Sequence, residues 1–276
     1  MTKRRLANRT LVMSGGSRGI GLAILRTAAR EGANVAFLAK TDTPHPRLEG
    51  TVRTAVAEIE AEGGGRALGI VGDVRNEADI ERLVSAAVGE FGGVDICVNN
   101  ASVLNLSATE DLPLSRFDLM QNVNIRGTFA LTRACLPHLR RSDSGHVLSL
   151  SPPLNLSQRW LGAHPAYTLS KYGMSIVTLG IAAEAANQSL SVNCLWPKTT
   201  VATAAVVNIL GGQEAAARSR SPQVMADAAL EILSTPAGKV TGQTLIDEDV
   251  LRETGVGDFT GYGGGTEPDL DIFVDS

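Results

Sequence analysis

Thr10-Leu11-Val12-Met13-Ser14-Gly15-Gly16-Ser17-Arg18-Gly19-Ile20-Gly21-Leu22-Ala23-Ile24-Leu25 decides the fold of this chain. Its first residues read as a short buried strand, and Leu22 onward continues a helix opened just before it. Between them, Gly15, Gly19 and Gly21 stand where a side chain would collide with a neighbour. A strand, a glycine loop and a helix bring free backbone N–H groups and the positive end of a helix dipole to one point, which is an anion site. The anion that suits it is the pyrophosphate of a dinucleotide, cradled by Ser14, Gly15, Ser17, Arg18, Gly19, Ile20 and Gly21. The spacing is G-x-x-x-G-x-G, distinct from the G-x-G-x-x-G of many dinucleotide dehydrogenases.

The rest of the chain agrees with that unit. Apolar runs predict strands over 35–39, 67–71, 94–98, 146–150, 190–195 and 244–246. Amphipathic or helix-length stretches between them predict helices over 51–62, 77–91, 122–139, 165–186 and 222–233. Strands alternating with helices at this spacing form parallel βαβ units, hence an α/β, doubly wound sheet of about seven strands with helices on both faces. No second domain is visible. Residues 1–276 read as one dinucleotide-binding domain, in which 252–276, rich in glycine and acids, is a C-terminal tail that acts as a lid or interface arm. Residues 197–221 lack clear periodicity.

Composition narrows the function classes. At 276 residues and 43% hydrophobic, the chain buries a substantial core, and a net charge of −4 argues against nucleic acid as a partner. No apolar run is long enough to cross a bilayer, and no apolar core follows the basic Lys3-Arg4-Arg5. A soluble, cytoplasmic protein is expected. Cys97, Cys135 and Cys194 are far apart, odd in number and without metal-ligand spacing, so they read as buried free thiols. The histidines at 45, 138, 146 and 164 do not cluster, and no metal site is expected.

Two constellations carry chemistry. An acidic residue at the end of the second strand accepts hydrogen bonds from a ribose 2′-hydroxyl, whereas a basic one pairs with a 2′-phosphate. Here the strand ends in Ala39-Lys40-Thr41, and Arg18 lies in the glycine loop, so the cofactor is read as NADP over NAD. Tyr167 and Lys171, four residues apart on a helix, share a face. A cation one turn away stabilises a tyrosinate and moves the phenol toward the pKa a general acid–base needs. Asp247, Glu248 and Asp249 read as a solvated strand end. Trp160 and Trp196 either wall an apolar pocket with Leu154 and Leu161 or belong to the core.

Taken together, Gly15-Gly19-Gly21, Asp73-Val74, Asn99-Asn100-Ala101, Asn124 within Val123-Asn124-Ile125-Arg126-Gly127, and Tyr167-x-x-x-Lys171 resemble the short-chain dehydrogenase/reductase family over essentially the whole chain. Within it the sequence looks closest to the hydroxysteroid dehydrogenase-like protein two group, through Lys40-Thr41-x-x-Pro44-His45-Pro46, Ser151-Pro152-Pro153, Tyr167-Thr168-x-x-Lys171-Tyr172-Gly173 and Trp196-Pro197-Lys198-Thr199. Eukaryotic members of that group carry a sterol-carrier-like domain that has no counterpart in these residues. The resemblance implies that Tyr167 exchanges the substrate proton, that Lys171 holds the nicotinamide ribose and depresses the tyrosine pKa, and that Asn124 fixes a water linking Lys171 to solvent. It implies adenine contacts for Asp73 and Val74, cofactor contacts for Asn99, Ala101 and Pro197, and a small hydrophobic carbonyl or alcohol as substrate. Assembly into a homodimer or homotetramer through the long fourth and fifth helices is also implied, with Ile176, Val177 and Ile181 as compatible apolar positions.

Three positions depart from the family pattern. The catalytic serine aligns with Pro152, which leaves the neighbouring Ser151 as the candidate hydroxyl. Lys198 replaces the glycine after Pro197, and Ser102 follows Asn99-Asn100-Ala101. A catalytically silent nucleotide-binding scaffold, or a reductase of acyl-thioester or enoyl substrates, are the alternatives to a carbonyl reductase.

Overall fold

The structure, a computed structural model, describes residues 4–44 and 50–275. His45 and Pro46 of the sequence motif above fall outside the described residues, as does Lys3.

Seven parallel strands form one sheet in the order β3-β2-β1-β4-β5-β6-β7. They are β1 Thr10–Ser14, β2 Asn34–Ala39, β3 Ala67–Val71, β4 Ile96–Asn99, β5 Gly145–Ser149, β6 Leu190–Trp196 and β7 Thr244–Ile246. Along β1, Leu11 and Met13 belong to the core on one face of the sheet and Val12 to the core on the other. That two-sided burial is why the strand sequences are apolar without strict alternation. Order reverses between β1 and β4, and the ends of these two neighbours open the crevice in which doubly wound sheets bind ligands.

The helices are α1 Gly19–Arg30, α2 Val52–Glu60, α3 Glu77–Phe91, α4 Leu114–Met120, α5 Gly127–Leu139, α6 Gln158–Ala163, α7 Pro165–Glu184, α8 Gly212–Ala217, α9 Gln223–Ser234 and α10 Asp247–Glu253. Local chemistry sets several boundaries. Thr51 and Thr54 form a reciprocal cap on α2, while Asn76 caps α3 and Gly92, at φ +89°, ends it. Between α4 and α5 the helix widens into a π-helical turn, Gln121–Arg126, which turns the Asn124 side chain inward.

Two expectations change here. The predicted unperiodic stretch 197–221 holds a second π-helical turn, Val206–Leu210, followed by α8. Asp247 and Glu248 are buried in the first turn of α10, not solvated at a strand end. Glu248 pairs with the buried Arg220 at 2.7 Å and with Arg252 at 2.7 Å. Asp247 accepts hydrogen bonds from the backbone N–H groups of Lys198 and Glu248, and burial still pushes its carboxyl up to about 7. Three acids at the start of a helix also complement its dipole. No helix of the described residues is long and apolar enough to cross a membrane. Of the apolar positions proposed for assembly, Ile176 is exposed, Val177 is half-buried and Ile181 is in the core.

Candidate active site

The glycine loop after β1 is shaped by close approach. Gly15 and Gly19 have φ of +80° and +55°, which side chains rarely tolerate. A Cβ on Gly21 would stand 2.4 Å from the Gly15 carbonyl oxygen and 2.6 Å from Asn100 Nδ2. Asn100 is the stitch: its Nδ2 donates to the Gly15 oxygen at 2.6 Å and to the Ser14 oxygen at 3.1 Å. Ser14 Oγ accepts in return from the N–H groups of Asn100 and Ala101. The end of β4 is thereby sewn to the loop after β1.

Arg18 precedes α1 in extended conformation and no side chain caps the helix, so its first N–H groups are left for a ligand. These groups face a cavity of about 1330 Å³. Gly15, Ser17, Arg18, Gly19, Ile20, Gly21, Lys40, Asp73, Val74 and Ala101 line it, as do Ser102, Val103, Leu104 and residues 202–205. The volume, the uncapped helix and the absent side chains fit a dinucleotide. Arg18 donates from Nη2 to the Gly50 carbonyl at 2.7 Å, while its Nε is buried without a partner among the described residues. Lys40 Nζ lies 3.1 Å from Asp73 Oδ2 on the same wall, with its side chain 66% exposed. Asp73 is gripped more tightly by Arg75, at 2.6 Å, which with Lys40 holds its carboxyl well below the usual carboxylate range.

Ser14, Asn99, Pro197, Asn124, Ser151, Tyr167 and Lys171 do not line the cavity. Asn99 points between the sheet and α5, where its Nδ2 donates to Thr132 and Ser149. Pro197 is buried, and the following Lys198 acts through its backbone, with N–H to Asp247 and C=O accepting from Asp271. Asn124 clamps Val103, accepting from its N–H at 2.8 Å and donating to its C=O at 3.0 Å, and it donates to Ser170 Oγ at 2.9 Å. Ser170 Oγ donates in turn to the Tyr167 carbonyl. Asn124 therefore ties a wall of the cavity to the turn of α7 that carries the tyrosine.

Tyr167 and Lys171 share one face of α7, and both are buried. Lys171 Nζ donates to the Leu150 carbonyl at 2.6 Å and stands 4.9 Å from the centre of a Trp196 ring. Burial raises the Tyr167 phenol above its ordinary value, with the Asp271 charge adding to it. Burial lowers the Lys171 ammonium to about 7. In this arrangement, then, desolvation dominates both groups. Ser151, like Tyr167 and Lys171, is buried and off the cavity, with its Oγ unpartnered and close to the Cys194 thiol.

Over the tyrosine lies the segment 270–275. Phe273, 2% exposed, stacks on Tyr167 with ring centres 6.1 Å apart and packs against Trp160, Tyr172 and Trp196. The tryptophans are thus joined in one aromatic cluster with the tyrosine, while Leu154 and Leu161 are exposed at its edge. Neither Asn100 nor Phe273 emerges as functional from sequence. The first hides beside Asn99 in the same motif, and the second is signalled only by an apolar triplet, 272–274, among acids.

A parallel sheet with its crevice at β1 and β4, a glycine-shaped cradle and an inward Tyr-x-x-x-Lys pair defines a dinucleotide-dependent oxidoreductase. The chain belongs to the short-chain dehydrogenase/reductase family: the family's short chain dehydrogenase profile matches residues 9–212. It is 50% identical over 258 residues to hydroxysteroid dehydrogenase-like protein 2 of Danio rerio, covering 94% of this chain and 61% of that protein. The chain thus spans about three-fifths of the length of this relative. A short chain dehydrogenase from Mycobacterium thermoresistibile is 51% identical, with a TM-score of 0.92 over 98% of this chain and 96% of that one. A short chain dehydrogenase from Burkholderia cenocepacia in complex with NADP is 26% identical, with a TM-score of 0.74 over 88% of this chain and 97% of that one. The family uses nicotinamide cofactors.

Proposed function

We propose that the protein is an NADP(H)-dependent oxidoreductase acting on a hydrophobic alcohol, aldehyde or ketone. The observation that carries this reading is the adjacency of the cofactor-sized cavity to the tyrosine cluster, through residues that belong to both. Arg18 and Lys40 stand in the cavity at one end, and Val103 and Leu104 join its other end to the cluster holding Tyr167. When bound, the nicotinamide gives or takes the hydride at the substrate carbon. Tyr167 exchanges the proton at the substrate oxygen, and Lys171, once turned from the Leu150 carbonyl to the ribose, supplies the charge that eases that exchange. Asn124 supports the relay by holding Val103 and Ser170 in place. Ser151, whose buried Oγ has no partner among the described residues, is the candidate second hydroxyl for the substrate oxygen. Arg18 and Lys40 neutralise a 2′-phosphate, with Lys40 leaving Asp73 to Arg75.

Exposed Phe129, Leu169 and Ile176 on α5 and α7 support assembly as a homodimer or homotetramer. Three buried free thiols suit a reducing compartment such as the cytoplasm. The test is NADPH oxidation with a panel of aliphatic, terpenoid and aromatic carbonyls, comparing wild type with Tyr167→Phe. Turnover that collapses in the variant supports the reading. NADPH binding without turnover of any panel member, or full activity in Tyr167→Phe, favours a silent scaffold instead.

A further inference from the structure

The reaction proposed above needs a substrate oxygen at the Tyr167 hydroxyl, within hydrogen-bond reach. Phe273 covers the face of that tyrosine, and neither Tyr167 nor Lys171 lines the cavity. The segment that carries it is held specifically. Leu270 forms an antiparallel bridge with Thr199, and the Asp271 N–H donates to the Lys198 carbonyl at 3.0 Å. The Ile272 carbonyl accepts from Trp196 Nε1 at 2.8 Å. Phe273 itself has φ +75°, a left-handed conformation that a bulky residue keeps only where its surroundings impose it. Two residues on, the Asp275 carboxylate accepts from Trp160 Nε1 at 2.9 Å and from Asn155 Nδ2 at 2.5 Å, with Arg159 Nη1 3.9 Å away.

Resting on that reading, we propose that residues 270–275 are an internal pseudo-ligand in the substrate site, and that the site takes a carbonyl compound joining an aromatic ring to a carboxylate. The ring of such a compound replaces Phe273 among Trp160, Tyr167, Tyr172 and Trp196. Its carboxylate replaces that of Asp275 on the two N–H donors and Arg159. Aromatic faces around a flat ring and hydrogen-bond donors to an acid are complementary to this class. Displacement of the segment also lets water and substrate reach the Tyr167–Lys171 pair, whose pKa values burial otherwise drives apart.

The test is amide hydrogen exchange on the full chain saturated with NADPH, using 3-benzoylpropionate and its methyl ester as probes, with calorimetric Kd values. The acid is expected to speed exchange at Asp271 and Val274 by about tenfold or more, and the ester by less than about threefold. Removing the competing carboxylate in Asp275→Asn, at the exposed rim, tightens binding of the acid about fivefold, and Phe273→Ala does the same by vacating the cage. Unchanged or slowed exchange with the acid bound, an Asp275→Asn affinity no better than wild type, or no binding of the acid at all overturns the proposal. Binding that frees the segment without NADPH oxidation counts against the oxidoreductase reading alone. Carbonyl turnover while the segment stays protected counts against the pseudo-ligand alone.

Discussion

Replacing Gly21 by alanine tests the cradle at its tightest point. The added Cβ would stand 2.4 Å from the Gly15 carbonyl oxygen and 2.6 Å from Asn100 Nδ2. Relief requires the Gly15 oxygen to retreat by about 1 Å, which breaks the bond it accepts from Asn100. Overpacking costs about 1–3 kcal/mol and the lost hydrogen bond about 1. Against this, alanine in place of a helical glycine returns about 1 kcal/mol. The net loss is about 1–3 kcal/mol, read as a fall of roughly 0.3–1 M in the urea midpoint at a slope of about 3 kcal/mol/M. Because the same shift moves the N–H groups that face the cavity, NADPH affinity should fall more than about tenfold in a fluorescence titration. Gly89→Ala is the control. That glycine is exposed in α3, and a Cβ there meets nothing within 4 Å, so the variant should gain about 0.5–1 kcal/mol with cofactor affinity intact. An unchanged midpoint and an NADPH Kd within about twofold of wild type in Gly21→Ala would refute the close-approach argument.

Asn124→Ala removes three hydrogen bonds and strands both backbone groups of Val103, so a loss of about 2–4 kcal/mol in urea denaturation is expected, together with a larger fall in kcat than in NADPH affinity. Lys40→Asp should reverse cofactor preference, raising the KM for NADPH while lowering that for NADH; equal effects on both would show that Lys40 serves only Asp73. Lys171 sits near 7 when folded against an ordinary 10.5, so the unfolded chain binds its proton between those values and the native state does not. Stability from this group therefore rises with pH across that window. Asp271, raised to about 8, opposes the trend below pH 8, and the isolating range is pH 8 to 10. Over it the wild type should gain about 2–3 kcal/mol relative to Lys171→Met in urea denaturation, and parallel curves would deny that Lys171 is buried uncharged.

Most of the fold was legible because apolar periodicity and glycine punctuation are local. The strands at 67–71 and 244–246 and the helix at 77–91 match their predicted bounds. The phosphate end of the site was legible for the same reason, since a strand, a loop and a helix lie next to one another in sequence. What could not be read depended on pairings across long separations. Asn100 meets Gly15 from 85 residues away, and Asp275 meets Trp160 from 115. Asp247 and Glu248 look solvated until Arg220 and Lys198 arrive from elsewhere. The orientation of Ser151 was equally hidden, because it depends on where the strand ends relative to Pro152.

The seam between β1 and β4 has a consequence for how the cofactor is met. A glycine loop standing alone would sample many conformations, and binding would have to freeze them. Here the Asn100 amide and the Ser14 hydroxyl fix that loop with four hydrogen bonds before any ligand arrives. Its ordering is a cost of folding, not of association, so the phosphate end is preorganised. The two ends of the site are therefore unlike in kind: the glycine loop is a finished surface, whereas Tyr167 lies beneath Phe273.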